Sequence, residues 1–153
     1  MSNRRLLRLS AWLLACGITS GALGNHWVIA QTAPAPAYQP KFKGDPAKSE
    51  SEAQALAYLR TLLRAQHEYK KRHDKYADSL HALAGTGTFT RRMASTTERG
   101  DYTVGFKPHN DGFTVTMTPK QMDAEHRSFY AEDDGVIHGD DQKPADESSP
   151  KVR

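Results

Sequence analysis

Residues 101–119 read DYTVGFKPHNDGFTVTMTP, and this stretch decides the fold. In each of its two halves apolar side chains alternate with small or polar ones, as in a β-strand with one buried face. Between the halves, Asp111-Gly112 is a turn signal. The stretch therefore predicts an antiparallel hairpin. Its apolar face would carry Tyr102, Val104, Phe106, Phe113, Val115 and Met117.

A second hairpin is predicted over residues 128–141, SFYAEDDGVIHGDD. Ser128 to Ala131 would form a third strand, and Val136 to His138 a short fourth one. Between them, Asp133-Asp134-Gly135 has turn composition, because Asp bonds to neighbouring backbone and Gly adopts a positive φ. A weak calcium site at Asp133 and Asp134 stays open as an alternative, although the ligand spacing of a calcium loop is missing.

One long helix precedes the strands. From about Ser51 to His73 the apolar residues recur at helical spacing, and Glu50 and Glu52 lie where the helix dipole favours acids. An apolar helix stripe and an apolar sheet face suit each other as two layers. We expect an α+β fold, with one N-terminal α-helix packed on a small antiparallel sheet of three to four strands. Its core would contain Leu59, Leu63, Tyr102, Val104, Phe106, Phe113, Val115 and Phe129.

The start of the chain has the composition of an export segment. Arg4, Arg5 and Arg8 precede an apolar run over residues 9–30 that contains no acid. The run is either a cleaved signal peptide, a signal lipidated at Cys16, or a retained membrane anchor, since about 20 apolar residues span a bilayer. In each case the rest of the chain would lie outside the cytoplasm, in the periplasm or at the cell surface.

Composition divides the chain into four parts. A proline-rich stretch follows the export segment and indicates a stiff tether, and the acidic, Ser- and Pro-rich end indicates disorder. The predicted parts are a signal or anchor (1–30), a tether (31–48), the α+β domain (49–138) and a disordered acidic tail (139–153).

Charge argues against a nucleic-acid partner. The net charge of +3 comes entirely from the three arginines before residue 9, because residues 31–153 carry 18 charges of each sign. The charges are nevertheless segregated, with eight bases and three acids in residues 57–92 and nine acids and two bases in residues 121–147. This pattern indicates either solvated faces or a dipole used in docking.

Motifs for catalysis are missing. The seven histidines show no H-E-x-x-H or H-x-H spacing, and Cys16, in the export segment, is the only cysteine. The stretch AGTGT at residues 84–88 is not followed by lysine and so is no phosphate loop. The sequence assigns no catalytic, cofactor-binding or metal-ligating residue.

Three phrases, taken in order, resemble the globular domains of type IV pilins and type II secretion pseudopilins. They are AYLRTLLRAQHEYKKRHDKYADSLHAL at residues 57–83, the hairpin from Gly100 to Pro119, and SFYAEDDGVIHG at residues 128–139. The resemblance covers about residues 53–139 and implies a pilin-like globular fold. The prepilin leader and the N-terminal assembly motif are missing, and prolines separate the apolar run from the helix. Filament assembly and prepilin processing therefore stay open.

These observations predict a non-catalytic envelope protein that acts by protein–protein contact, in structure, adhesion or secretion. Its partner would be one or more envelope proteins, with no nucleic acid and with membrane anchoring through residues 9–30 as an option. The alternative is a small envelope hydrolase or metal-dependent enzyme with an unrecognised site. An enzyme needs titratable groups that converge in a pocket.

Overall fold

The computed structural model describes residues 37–153. The predicted signal or anchor, its Cys16 and His26 lie outside these residues. Within residues 37–153 no helix has the length and apolar character needed to cross a membrane. The elements are α1 (Glu50–His73), α2 (Arg91–Ala94), β1 (Glu98–Arg99), β2 (Tyr102–His109), β3 (Gly112–Pro119), β4 (Ser128–Glu132) and β5 (Ile137–Asp140).

Helix α1 begins and ends where its capping residues dictate. The Ser49 side chain accepts a hydrogen bond from the backbone N–H of Glu52 at 3.1 Å, which satisfies one of the free donors of the first turn. At the other end Asp74 adopts a left-handed conformation with φ of 57°, and its N–H bonds to the carbonyl of Lys70. The predicted helix differs from the observed one by a single residue at its start.

The sheet is an antiparallel meander in the order β1-β2-β3-β4-β5. Strands β2 and β3 pair along their whole length, from Tyr102 opposite Pro119 to His109 opposite Gly112. The connection is Asn110-Asp111, so Gly112 belongs to the strand and not to the turn. A Cβ at Gly112 would lie 2.6 Å from the Asp133 carboxylate and 2.8 Å from the His109 ring, so both of these exposed side chains would have to shift.

The core lies between α1 and one face of the sheet. Six of the eight predicted core residues are buried, whereas Leu63 and Phe106 are only partly buried at its margin. The loop after α1 closes one side of the core, because the buried Gln66 amide donates to the carbonyl of Ala77 at 3.1 Å and accepts from its N–H at 2.9 Å. The core also includes Leu56, Leu62, Leu80, Leu83, Phe89, Met117 and Ala131.

The predicted fold class is wrong in two respects. The sheet has five strands where three to four were expected, and the helix is not N-terminal, since it begins at Glu50 behind a folded segment. Strand β1 has only two residues, and it is held by backbone pairing with Thr103 and Tyr102. A strand this short has no side-chain alternation from which a sequence could predict it.

The two flanking segments are also more ordered than their composition suggests. Residues 37–48, expected to be part of an extended tether, contain a hydrogen-bonded turn around Asp45. At the other end, residues 139 and 140 belong to β5, and the segment expected to be disordered folds back along that strand. Its Val152 N–H bonds to the carbonyl of Ile137 at 2.8 Å, and Pro150 accepts from the N–H of Gly139 at 2.9 Å.

Small polar groups hold this C-terminal segment, together with the packing of Val152 against the core. The Ser128 hydroxyl donates to the carbonyl of Lys143 at 2.6 Å and accepts from the N–H of Ala145 at 2.8 Å. A ring nitrogen of His138 lies 2.6 Å from the carbonyl oxygen of Ser149. Ser128 and His138 belong to β4 and β5, so side chains of the sheet satisfy backbone groups of a segment whose composition suggests disorder.

Candidate functional site

The stretch at residues 128–141 forms the closing hairpin that the sequence predicts. Strands β4 and β5 pair with Tyr130 opposite His138. Gly135 has φ of 75°, and the Asp134 carboxylate accepts a hydrogen bond from the N–H of Val136 at 2.9 Å. Asp134 thus serves the turn itself, as Asp does in turns of this kind.

Two further acids near this hairpin, Asp140 and Asp141, also have partners of their own. Asp140 accepts hydrogen bonds from the N–H groups of Gln142 and Lys143, and Asp141 forms an ion pair of 2.8 Å with Lys48. Across residues 37–153 no three His, Asp or Glu side chains are placed to hold one metal ion. The acid-rich sequence is therefore distributed over separate turns instead of converging on one point.

The most enzyme-like group of side chains lies beside the N-terminus of α1. We call it the His126 cluster, and it consists of Ser51, Asp101, Asp123 and His126. The Asp123 carboxylate lies 2.7 Å from Nδ1 of His126, Asp101 lies 3.6 Å from its Nε2, and the Ser51 hydroxyl donates to Asp101 at 2.6 Å. The imidazole hydrogen bond holds the pKa of Asp123 below its usual range.

The order of contacts in the His126 cluster differs from that of a serine hydrolase. There, the hydroxyl contacts the imidazole, which removes its proton, and a carboxylate orients the ring from the far side. Here a carboxylate lies on each side of the ring, and the Ser51 hydroxyl bonds to Asp101. Asp123 faces Nδ1 of the ring and Asp101 faces Nε2, and these two nitrogens point in different directions. One metal ion could therefore not be coordinated by His126 and by both carboxylates at once. The cluster thus lacks the contact between a nucleophile and its base.

Beside this cluster, one buried ion pair connects the helix to the sheet. Glu52 is completely buried, and each of its carboxylate oxygens accepts one backbone N–H and one guanidinium N–H. Arg127 donates to Oε1 through its backbone N–H at 2.8 Å and Nε at 3.0 Å. Lys48 N–H at 2.8 Å and Arg127 Nη2 at 2.9 Å donate to Oε2. Such full satisfaction indicates a structural role.

A shallow groove with a basic rim lies between α1 and the C-terminal segment. Its volume is about 400 Å³, and we call it the basic groove. Arg60, Lys151 and Arg153 are exposed at its rim, and none of the three forms an ion pair with another residue of the described range 37–153. The floor consists of half-buried apolar side chains from Leu63, Val136, Ile137 and Val152.

Neither the basic groove nor the Glu52–Arg127 pair could be predicted from the sequence, because each joins residues that are far apart along the chain. The sequence predicts that Lys151 and Arg153 lie in a disordered tail and that Leu63 lies in the core. Glu52 and Arg127 are 75 positions apart, and neither lies in a motif. Only the segregation of bases into residues 57–92 hinted at a basic surface on this helix.

The remaining histidines that sequence analysis considered do not converge. His67, His73, His81 and His109 are exposed at separate points of the helix, the loop and the β2–β3 hairpin. His73 packs against Tyr69 with ring centroids 4.2 Å apart, as neighbours four residues apart on one helix face do.

Comparisons of this chain with protein-family models, with curated proteins and with solved structures found no match. The resemblance to pilins and pseudopilins therefore rests on the three sequence phrases.

Proposed function

We propose that this protein is exported and acts outside the cytoplasm, without catalysis, by binding another protein of the envelope. The observation that carries the proposal is the basic groove. Its apolar floor and its rim of cations, which form no ion pair within residues 37–153, suit an acidic segment that also carries apolar side chains. The chain would use this surface to recognise its partner protein, and this role does not depend on the resemblance to pilins.

The groove combines two properties of protein-binding surfaces. Apolar side chains at its centre supply area that is removed from water on binding, and the surrounding charges steer and orient the partner. Arg60 comes from the helix, whereas Lys151 and Arg153 come from the C-terminal segment. Ordering of that segment along β5 is thus what brings the three cations together.

The alternative function, a small hydrolase or metal-dependent enzyme, has less support. The His126 cluster is the arrangement that most resembles a catalytic site in the described part of the chain, and its hydroxyl and imidazole do not meet. In addition, every buried side-chain nitrogen or oxygen of residues 37–153 has a hydrogen-bond partner within the domain.

Site-specific photo-crosslinking in the source cell tests the proposal. A photoreactive phenylalanine analogue at Val136, in the groove floor, should give a discrete adduct in the envelope fraction. The same analogue at Lys107, which is exposed on β2 outside the groove, is the matched control and should give none.

Charge reversal then tests the role of the rim. Lys151→Glu should abolish the adduct formed at Val136, while Lys107→Glu should leave it unchanged. Equal adducts from both photoreactive positions, or an adduct that survives Lys151→Glu, would refute recognition through the basic groove. An adduct found only in the cytoplasmic fraction would refute export.

A further inference from the structure

One aromatic side chain departs from the pattern of burial in the domain. Phe42 is 54% exposed, and among residues 37–153 it is the only large hydrophobic residue that is exposed. The four other phenylalanines are buried or half-buried in the core. Single exposed apolar residues are common, so the surroundings of Phe42 decide whether this one has a role.

Phe42 lies in a turn that has its own internal structure. We call residues 38–47 the Phe42 turn. The Asp45 carboxylate accepts three hydrogen bonds, from the hydroxyl of Tyr38 at 2.6 Å, the N–H of Lys41 at 3.0 Å and the N–H of Ala47 at 3.1 Å. The carbonyl of Phe42 accepts from the N–H of Asp45 at 3.1 Å. These bonds hold the backbone on both sides of the exposed ring.

Both ends of the Phe42 turn are attached to the domain. Tyr38 packs against the core and Ala47 is buried in it. The hydrogen bond from Tyr38 lowers the pKa of Asp45, so this carboxylate stays charged at neutral pH. Gly44 supplies a φ of 81°, which other residues adopt only with strain. The ring is therefore displayed by a fixed scaffold, and binding through it would require little ordering of the chain.

Two lysines flank the ring. Lys41 forms an ion pair with Glu50 at 2.7 Å, and Lys43 forms none with the residues that the structure describes. An apolar ring beside a free cation matches the boundary of a bilayer, where apolar side chains enter the acyl region and lysines meet anionic headgroups.

The position of the turn in the chain favours a lipid surface over a protein partner. The apolar run of residues 9–30 ends a few residues before the domain, and residues 31–37 can extend over at most about 25 Å. If that run is retained in the membrane, the tether holds the Phe42 turn near the bilayer at high effective concentration. A contact too weak to recruit the protein by itself is then sufficient to orient it.

We propose that the Phe42 turn is a membrane-surface contact, with the ring of Phe42 entering the boundary of an anionic bilayer and Lys43 next to its phosphates. The inference rests on the proposed export, in the form in which residues 9–30 are retained as an anchor. It assigns the turn a role distinct from that of the basic groove, since the groove binds the partner and the turn sets the orientation of the domain.

Tryptophan fluorescence of the full chain tests this contact. The only two tryptophans, Trp12 and Trp27, precede the described residues. In the variant W12F/W27F/F42W the new side chain is therefore the sole tryptophan. The matched control, W12F/W27F/K107W, places it at an exposed position on β2. Both proteins are reconstituted into vesicles of phosphatidylcholine and phosphatidylglycerol, with and without brominated acyl chains.

We expect the tryptophan at position 42 to emit at shorter wavelength and to be quenched by the brominated lipid, and the one at position 107 to show neither effect. Adding Lys43→Glu, or omitting phosphatidylglycerol, should reduce the quenching several-fold. Equal quenching at the two positions, quenching independent of anionic lipid, or a blue shift without bromolipid quenching would each overturn the proposal, the last by indicating a protein contact.

Flotation of the same samples separates this inference from the proposed function. A chain that stays in solution refutes both the anchored form and the Phe42 contact. A chain that floats with the vesicles, but whose tryptophan at position 42 remains in water, refutes only the contact.

Discussion

Replacing Glu52 by glutamine should destabilise the domain strongly, although the shape of the side chain hardly changes. Each carboxylate oxygen of Glu52 accepts two N–H groups within 2.8–3.0 Å. An amide has only one oxygen, so in either orientation its NH₂ group faces two donors, one of them from the Arg127 guanidinium. A buried donor without an acceptor costs about 1–3 kcal/mol, and breaking a buried ion pair costs about 3–5 kcal/mol in total.

Thermal melts followed by circular dichroism measure this effect. For a domain of this size a loss of 3–5 kcal/mol lowers Tm by roughly 10–20 °C. Glu50→Gln is the matched control, because Glu50 lies in the same helical turn and its side chain is 57% exposed in its ion pair with Lys41. That change should cost less than about 1 kcal/mol. Equal shifts in Tm for the two variants would show that the Glu52 carboxylate is not buried and ion-paired with Arg127 as the structure indicates.

Three further predictions concern the core, the closing hairpin and export. Leu59→Ala, at a fully buried position, should destabilise the domain by about 2–4 kcal/mol, and Leu63→Ala by less, because Leu63 is only half-buried; urea unfolding that reverses this order would refute the observed helix face. Gly135→Val should destabilise the domain, because valine is strained at a φ of 75°, whereas Asp134→Asn should hardly change its stability. Calcium should not raise the melting temperature. A calcium-dependent rise that Asp134→Asn abolishes would establish an ion site instead. A reporter enzyme that is active only after export, fused after Arg153, should be active, and activity of a cytosol-only reporter in its place would contradict export.

The elements that could be predicted are those whose signal is local. The helix stripe around Leu59 repeats every three to four residues from Glu52 to Gln66, and the β2–β3 hairpin alternates with period two on both strands. Burial of one face imposes both periods directly on the sequence. The positive φ of Gly135 could also be predicted locally, because a glycine after two aspartates is typical of a tight turn.

Tertiary structure alone decided the features that join distant residues. Strand β1 forms because it pairs with the edge of β2. Two residues are too few to show a side-chain pattern, so the sequence does not predict this strand. The C-terminal segment is ordered because single groups, such as the Ser128 hydroxyl, satisfy its backbone one bond at a time. Hydrogen bonds of this kind have no periodicity, so composition alone predicted disorder.

The candidate surfaces follow the same division. From the sequence came the segregated charge and the predictions of an export segment and of a binding protein. The basic groove required Lys151 and Arg153 to be brought beside Arg60, and the Phe42 turn required Asp45 to gather three donors around one carboxylate. Both surfaces are built from contacts that form only after the chain has folded. The core beneath each surface supplies the free energy that orders these contacts.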